Sequence, residues 1–436
     1  MRNFKRTLLA TAVVAFVPAL SAPLAMAQKS ASGLEEVVVT GTRKEGVSPT
    51  ETLAPIDVFT SESLARQASF SLTESLTAIA PSLNTQRFPI ADGTAFVRPV
   101  TLRNLSPDHT LVLVDGARRH RSALVNLQLA PLGTVNQGSQ GVDFATFPSA
   151  AIKRVEVLRD GASAQYGSDA IAGVVNVILK DADEGFTISG QYGEYDENDG
   201  ERSTVSANGG LSLGGKGFLN LTGEYATTDT TSRGQARSDA AGIADIVGKS
   251  AVPYNGLGQR WGDPELDSYT GVFNTGYNVT DTVELYGNGS YYYNETEGGF
   301  FYRGPVLPTA EDNIAFTPRT TLMTDNVGGP LNEEGDPTPD GLPDNASQSL
   351  VDSIVGDGFN PNNYLTADAS SPSGFVLLNP IHTQFPGGYS PIFGADITDI
   401  FAVLGARGEL GNSNLNWDLK GRYGENEVKY NLTGSI

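Results

Sequence analysis

The chain has no cysteine among its 436 residues, and only three histidines, three methionines and two tryptophans. Without a thiol there is no disulfide, no thiolate metal site and no cysteine nucleophile. His109, His120 and His382 lie far apart in sequence, so no metal centre and no bound cofactor built by the protein is expected. No Ser-His-acid spacing and no G-x-S-x-G motif occurs, which leaves a secreted hydrolase without support. Positive charge is scarce as well. There are 29 Lys and Arg against 50 Asp and Glu, a formal net charge of -21, which makes nucleic acid a poor partner. After the first residues no run of about 18 apolar side chains occurs, so no helix is expected to cross a membrane. A β-barrel is then the remaining way through one.

What the chain does hold is glycine (50), proline (24), tyrosine (16) and phenylalanine (19), with only 39% apolar residues. Such a composition suits many strands with one wet face better than a helical bundle. The amino terminus reads as a secretory signal over residues 1–27. Arg2, Lys5 and Arg6 precede a short apolar core from Leu8 to Val17, and Ala25-Met26-Ala27 forms an A-x-A cleavage site. Cleavage there removes three cations and no anion, taking the charge from -21 to -24.

The second half alternates with period two, the pattern of a strand with one apolar and one polar side. Leu219, Leu221, Gly223 and Tyr225 alternate with Asn220, Thr222 and Glu224. Val283, Leu285, Gly287, Gly289, Tyr291 and Tyr293 alternate with Glu284, Asn288, Ser290 and Asn294. Similar runs start at Phe186, Val205, Tyr269 and Ile400, and Leu415, Trp417, Leu419, Gly421 and Tyr423 make another. Tight turns (Gly214 to Gly217, Thr280-Asp281, Gly411 to Ser413) alternate with long polar segments at about 226–267 and 295–396. Short turns on one side and long loops on the other are the mark of an outer-membrane barrel. After Tyr423 the apolar set shifts to Val428, Tyr430, Leu432 and Ile436, which fits either a bulge or a hairpin at Gly424 to Glu427. The region 184–436 thus holds seven or eight strands.

Residues 49–183 read as a small mixed α/β domain. Ser71-Leu72-Thr73-Glu74 is a capping box ahead of a helix that ends at Pro81. Leu111 to Val114 is a buried strand closed by an Asp115-Gly116 turn, and Ile152 to Leu158 and Val174 to Leu179 are two more strands. Between the signal and this domain, residues 28–48 contain LEEVVVTGTRK, a strand-forming stretch with no neighbour to pair with.

Three segments carry a resemblance. IKRVEVLRDGASAQYGSDAIAGVVNVILK (Ile152 to Lys180) and LRNLSPDHTLVLVDGARR (Leu102 to Arg119) resemble the plug domain of TonB-dependent outer-membrane receptors. LEEVVVTGTR (34–43) is similar to that family's TonB box. The resemblance implies a mixed α/β plug inside an antiparallel membrane barrel of 22 strands, of which this chain would hold an N-terminal fragment. It implies gated import of a scarce ligand such as a ferric siderophore, with cobalamin and carbohydrate receptors as alternatives inside the family and a passive porin as the alternative outside it. Its partners would be the inner-membrane protein TonB, outer-membrane lipid and lipopolysaccharide, and a small nutrient. An unpaired segment can add a strand to a partner's sheet, so Leu34, Glu35, Glu36, Val37, Val38, Val39 and Thr40 are expected to bind TonB. Arg154 and Arg159 match the family's plug arginines that pair with barrel glutamates, their partners lying either beyond Ile436 or at a lumenal residue such as Glu224 or Glu284. Arg118, Arg119 and Arg121 on the plug, with Trp261 and Tyr302 in the loops, are candidate ligand contacts.

Overall fold

The computed structural model describes residues 55–85, 90, 93–125, 138–304, 385, 387–411 and 415–434, together with four short strands between 328 and 377. The signal sequence and the stretch from Leu34 to Arg43 lie outside the described residues. The chain divides into two compact units. The first comprises 1–231, 262–298 and 393–431, and the second comprises 232–261, 299–392 and 432–436.

The first unit contains an N-terminal subdomain and most of a large sheet. The subdomain opens with strand β1 (Ile56–Thr60), helix α1 (Ser61–Ala65) and helix α2 (Leu72–Ile79). α2 starts where the capping box predicts. The Ser71 hydroxyl accepts from the Glu74 amide, while the Glu74 carboxylate reaches back to the Phe70 amide. Short strands β2 (Leu83–Asn84) and β3 (Thr101–Leu102) pair with each other. β4 (Thr110–Val114) turns through Asp115 and Gly116, both at positive φ, into β5 (Ala117–Arg118). β6 (Ile152–Leu158), helix α3 (Ser163–Tyr166) and β7 (Gly173–Leu179) follow. The main sheet has the order β1-β6-β7-β4-β5, antiparallel except for the parallel pair β4 and β7. Its strands are apolar on both faces because both faces are covered. One face packs Val112, Val114, Val155, Val157, Val175 and Val177 against Leu72 and Leu76 of α2. The other buries Ile56, Leu111, Leu113, Leu158 and Val174. β1 and α1 had no counterpart in the sequence reading.

The large sheet has seven strands: β8 (Phe186–Gly193), β9 (Arg202–Ser212), β10 (Gly217–Thr228), β11 (Glu265–Thr280), β12 (Val283–Gly299), β17 (Ile392–Glu409) and β18 (Asn416–Thr433). They lie in the order β18-β17-β12-β11-β10-β9-β8. The registers of β8 to β12 are antiparallel throughout. The alternation holds in space. Asn208, Asn220, Thr222, Asn288 and Asn294 are buried on one face, whereas Leu221, Tyr269, Leu285, Tyr291, Leu404 and Leu419 are exposed on the other.

β18 differs from both readings of 415–436. It is one strand without a hairpin, and it does not slip in phase. Asp418 meets Tyr286, Arg422 meets the Arg118 carbonyl, Asn426 meets Ser122 and Tyr430 lies against Gly93. Every one is an even-numbered position facing inward, and Val428 joins them in an inner apolar cluster. The apolar side chains change face because the inner face at that height meets Ala95, Phe96 and Val97 of the subdomain.

The second unit has a core of its own. Helix α4 (Ser238–Val247) supplies Ala240, Ile243 and Ala244, which pack with Val252 and Tyr302. β13 (Gly328–Leu331) pairs with β14 (Pro337–Pro339), and β15 (Leu365–Ala367) with β16 (Phe375–Leu377). Among the described residues no helix is long and apolar enough to cross a membrane.

Candidate functional site

The inner face of the seven-stranded sheet holds the N-terminal subdomain, and the contact starts at the β4–β5 turn. Asp115 is half-buried there. Its Oδ1 accepts from the Leu179 amide at 3.1 Å and its Oδ2 from Asn288 Nδ2 of β12 at 3.2 Å. Burial pushes this carboxyl up from 3.8 to about 6. Gly116 donates its amide to Asn176 Oδ1, which in turn donates from Nδ2 to the fully buried Glu156. Two more inward asparagines hold the chain that leaves the subdomain: Asn274 donates to the Lys180 carbonyl and Asn220 to the Ala182 carbonyl.

Beyond β5 the chain runs along β17 and β18 as a strap from Arg119 to Leu124. Arg119 is buried and donates from Nη2 to Asp399 Oδ1 of β17 at 2.5 Å. Its guanidinium also lies over the rings of Phe401 at 4.6 Å and Phe147 at 5.7 Å. His120 Nε2 meets Asp399 Oδ2 at 2.8 Å, and Arg119 Nη1 meets His120 Nδ1 at 2.8 Å. These contacts fit the tautomer with its proton on Nε2, since the arginine can only donate to Nδ1. Asn426 of β18 accepts from the Ala123 amide at 2.7 Å and from the Ser122 hydroxyl, and it donates to Asp399 Oδ2 at 3.0 Å. The strand approaches closely at Gly424, where a Cβ would stand 2.4 Å from His120 Nδ1. Apolar packing joins the same parts, because Val272, Phe401 and Val403 of the sheet belong to the subdomain's own core.

A family model described as TonB-dependent Receptor Plug Domain matches residues 48–174. That segment is a TonB-dependent receptor plug. The plug is followed by an antiparallel strand sheet that is not closed among the described residues. The family is one of transport receptors. Solved structures similar to this chain include the siderophore receptor PirA from Acinetobacter baumannii, at 17% identity over 88% of this chain and 45% of that chain, with a TM-score of 0.42. A mutant of the ferric enterobactin receptor PfeA from Pseudomonas aeruginosa, in complex with enterobactin, is 14% identical over 87% and 56%, with a TM-score of 0.40. The copper transporter OprC is 12% identical over 86% and 46%, with a TM-score of 0.39. The chain thus spans about half the length of the structures it matches.

The residues expected to act at the site are placed as follows. Arg154 pairs with Glu156 at 2.8 Å and Arg159 with Asp57 at 2.8 Å, both inside the plug. The described ion pairs between plug and sheet use other residues: Arg119 and His120 with Asp399, and Glu74 with Arg202 of β9. Arg119 is therefore no exposed ligand contact; desolvating it demands a carboxylate, and Asp399 supplies one. Arg118 pairs with Asp169 and donates to the Tyr166 carbonyl. Arg121 is exposed and donates to the Asp108 carbonyl. In the second unit Tyr302 is a core residue rather than a stacking platform, with its hydroxyl donating to the Gly387 carbonyl at 2.7 Å. Trp261 is half-buried beside Gly234. Among the described residues no cluster of three or more His, Asp and Glu could hold a metal.

Proposed function

We propose that this chain is the amino-terminal part of a TonB-dependent importer, which carries a scarce ligand such as a ferric siderophore across the bacterial outer membrane. One observation carries the reading: the plug shares its core with the inner face of a sheet whose outer face is lined with exposed leucine and tyrosine. A plug seated inside a lipid-facing wall accounts for both faces at once. The signal at residues 1–27 delivers the chain out of the cytoplasm, and lipid and lipopolysaccharide surround the sheet. Leu34 to Thr40 supplies the strand that TonB takes up. Barrel carboxylates for Arg154 and Arg159 belong to the same proposal. Arg118, Arg121 and Trp261 remain the candidate ligand contacts.

The test uses the complete receptor in its own outer membrane. A growth screen under iron, cobalamin and glycan limitation identifies the condition in which cells depend on it. Deleting Glu35 to Thr40 is expected to abolish that growth while the receptor still reaches the surface. Unchanged growth, or passive flux of solutes through the intact receptor in liposomes, contradicts the proposal.

A further inference from the structure

The plug is held unequally around the described wall. On the β17–β18 side it is tied by the Arg119–Asp399 pair, by His120, by Asn426 and by the packing of Phe401 and Val403. Gly424 leaves no room there even for a methyl group. On the β8–β10 side the plug presents α1 and α2 and meets β9 and β10 at Ser149–Ala151, and two spaces lie between these elements and the wall.

One is a cavity of about 100 Å³ bordered by Arg98, Arg202, Glu224, Tyr292 and Asn294. The other is a cleft of about 400 Å³ bordered by Lys180, Ser189, Gln191, Ser206 and Glu224. Phe70, Ser149, Thr204 and Glu224 border both, so the two meet beside the Glu224 carboxylate. Asn294 is buried and its Oδ1 has no hydrogen-bond partner among the described residues, nor has Arg202 Nε. A buried acceptor and a buried donor facing a polar space of this size need water. The described ion pair that crosses here is Glu74 with Arg202.

We infer that the passage through the receptor opens along the inner wall of β8, β9 and β10, past Glu224, while the strap from Arg119 to Leu124 stays seated on β17 and β18. The inference rests on the transport reading above. Separating α1 and α2 from β8–β10 breaks the Glu74–Arg202 pair and lifts Phe70 from the Arg202 guanidinium, while the Asn220 bond to the Ala182 carbonyl can stay made, and it widens spaces that polar groups already line. Separating it from β17–β18 would strip Asp399 of its buried arginine and expose the shared core. Local opening follows the weaker contacts. Residues 61–79, which form part of the β8–β10 side, also belong to the plug's first elements, those nearest in sequence to the segment proposed to engage TonB. Glu224 and Glu62 then face the passage, and Thr204 and Ser206 supply a hydroxyl-lined wall.

The test places single cysteines in the complete receptor, with any other cysteine replaced, and follows their reaction with a membrane-impermeant sulfonated maleimide in living cells. Glu224→Cys reports the proposed passage. Ala395→Cys and Val403→Cys report the β17 side, and the alanine position tolerates the change with the least repacking. Cells are held in the condition where growth depends on the receptor, with TonB present or removed. Labelling at Glu224→Cys is expected to rise about tenfold with TonB, while labelling at the β17 positions stays level. A rise of equal size on β17, or no rise at Glu224→Cys while growth remains TonB-dependent, overturns the inference and leaves the transport reading intact. Growth that does not depend on TonB overturns both.

Discussion

At the scale of single residues, the plug's attachment turns on buried charge. Arg119 and Asp399 share a dry site with Phe401 and Phe147 around them. Removing one partner strands the other, which typically costs about 3–5 kcal/mol. Arg119→Ala is therefore expected to lower the urea midpoint of plug unfolding by a loss of that order. Arg119→Met combined with Asp399→Leu should lose less than the two single changes added together, as a chemical denaturation cycle would read. Asp143 supports a second prediction. Its Oδ1 accepts from the amides of Arg98 and Ala145, its Oδ2 has no hydrogen-bond partner among the described residues, and Arg98, Arg119 and Asp399 are charges that act on it. Burial raises the carboxyl from 3.8 to about 6. The folded plug then keeps a proton that the unfolded chain releases over this window. This contribution to stability is complete below the unfolded value and is lost as pH rises through about 6. Asp115, raised to about 6 by burial, acts in the same direction. Asp143→Asn should flatten the stability profile between about pH 4 and 6, on the order of 2 kcal/mol, in urea titrations across pH. Asp399 was not legible in the sequence. It lies in a strand where the inner positions Ile397, Phe401 and Val403 are apolar too, so a lone aspartate there marks no partner until the plug is in place.

At the scale of elements, period and capping were the reliable signals. The strand edges at Ile152 and Leu158, the Asp115-Gly116 turn and the Ser71 cap all follow from local rules that tertiary contacts leave untouched. The rule fails in β18, because period-two reading assumes that the inner face is wet. Once a globular domain fills the interior, apolar residues are favoured on both faces, and Val428 and Tyr430 turn inward without any bulge. The long segment after Thr228 likewise hides helix α4, whose small core reads as ordinary polar loop when its contact residues Val252 and Tyr302 are distant in sequence. Gly424 gives the element-scale prediction. Gly424→Ala places a methyl group against His120, so the ring must move and its bond to Asp399 must loosen. Hydrogen exchange over residues 119–124 is expected to speed up in this variant, while exchange in β9 and β10 stays as in the parent. Unchanged exchange in the strap would show that β18 yields instead.

At the scale of the whole molecule, the two faces of one sheet carry the account. The inner face is asparagine, threonine and plug core; the outer face carries exposed leucine or tyrosine on β9, β10, β11, β12, β17 and β18. In water such a face would be an aggregation site; against hydrocarbon it is the stable arrangement. The most direct measurement is electron paramagnetic resonance on the complete receptor in lipid, with spin labels one at a time at Leu221, Leu285, Leu404 and Leu419 and, for comparison, at Asn208 and Asn288. Labels at the four leucine positions are predicted to relax strongly with molecular oxygen, which concentrates in lipid, and weakly with a water-soluble nickel chelate, whereas labels at the asparagines should be shielded from lipid. Leucine-position labels that respond to the chelate as readily as to oxygen would contradict it.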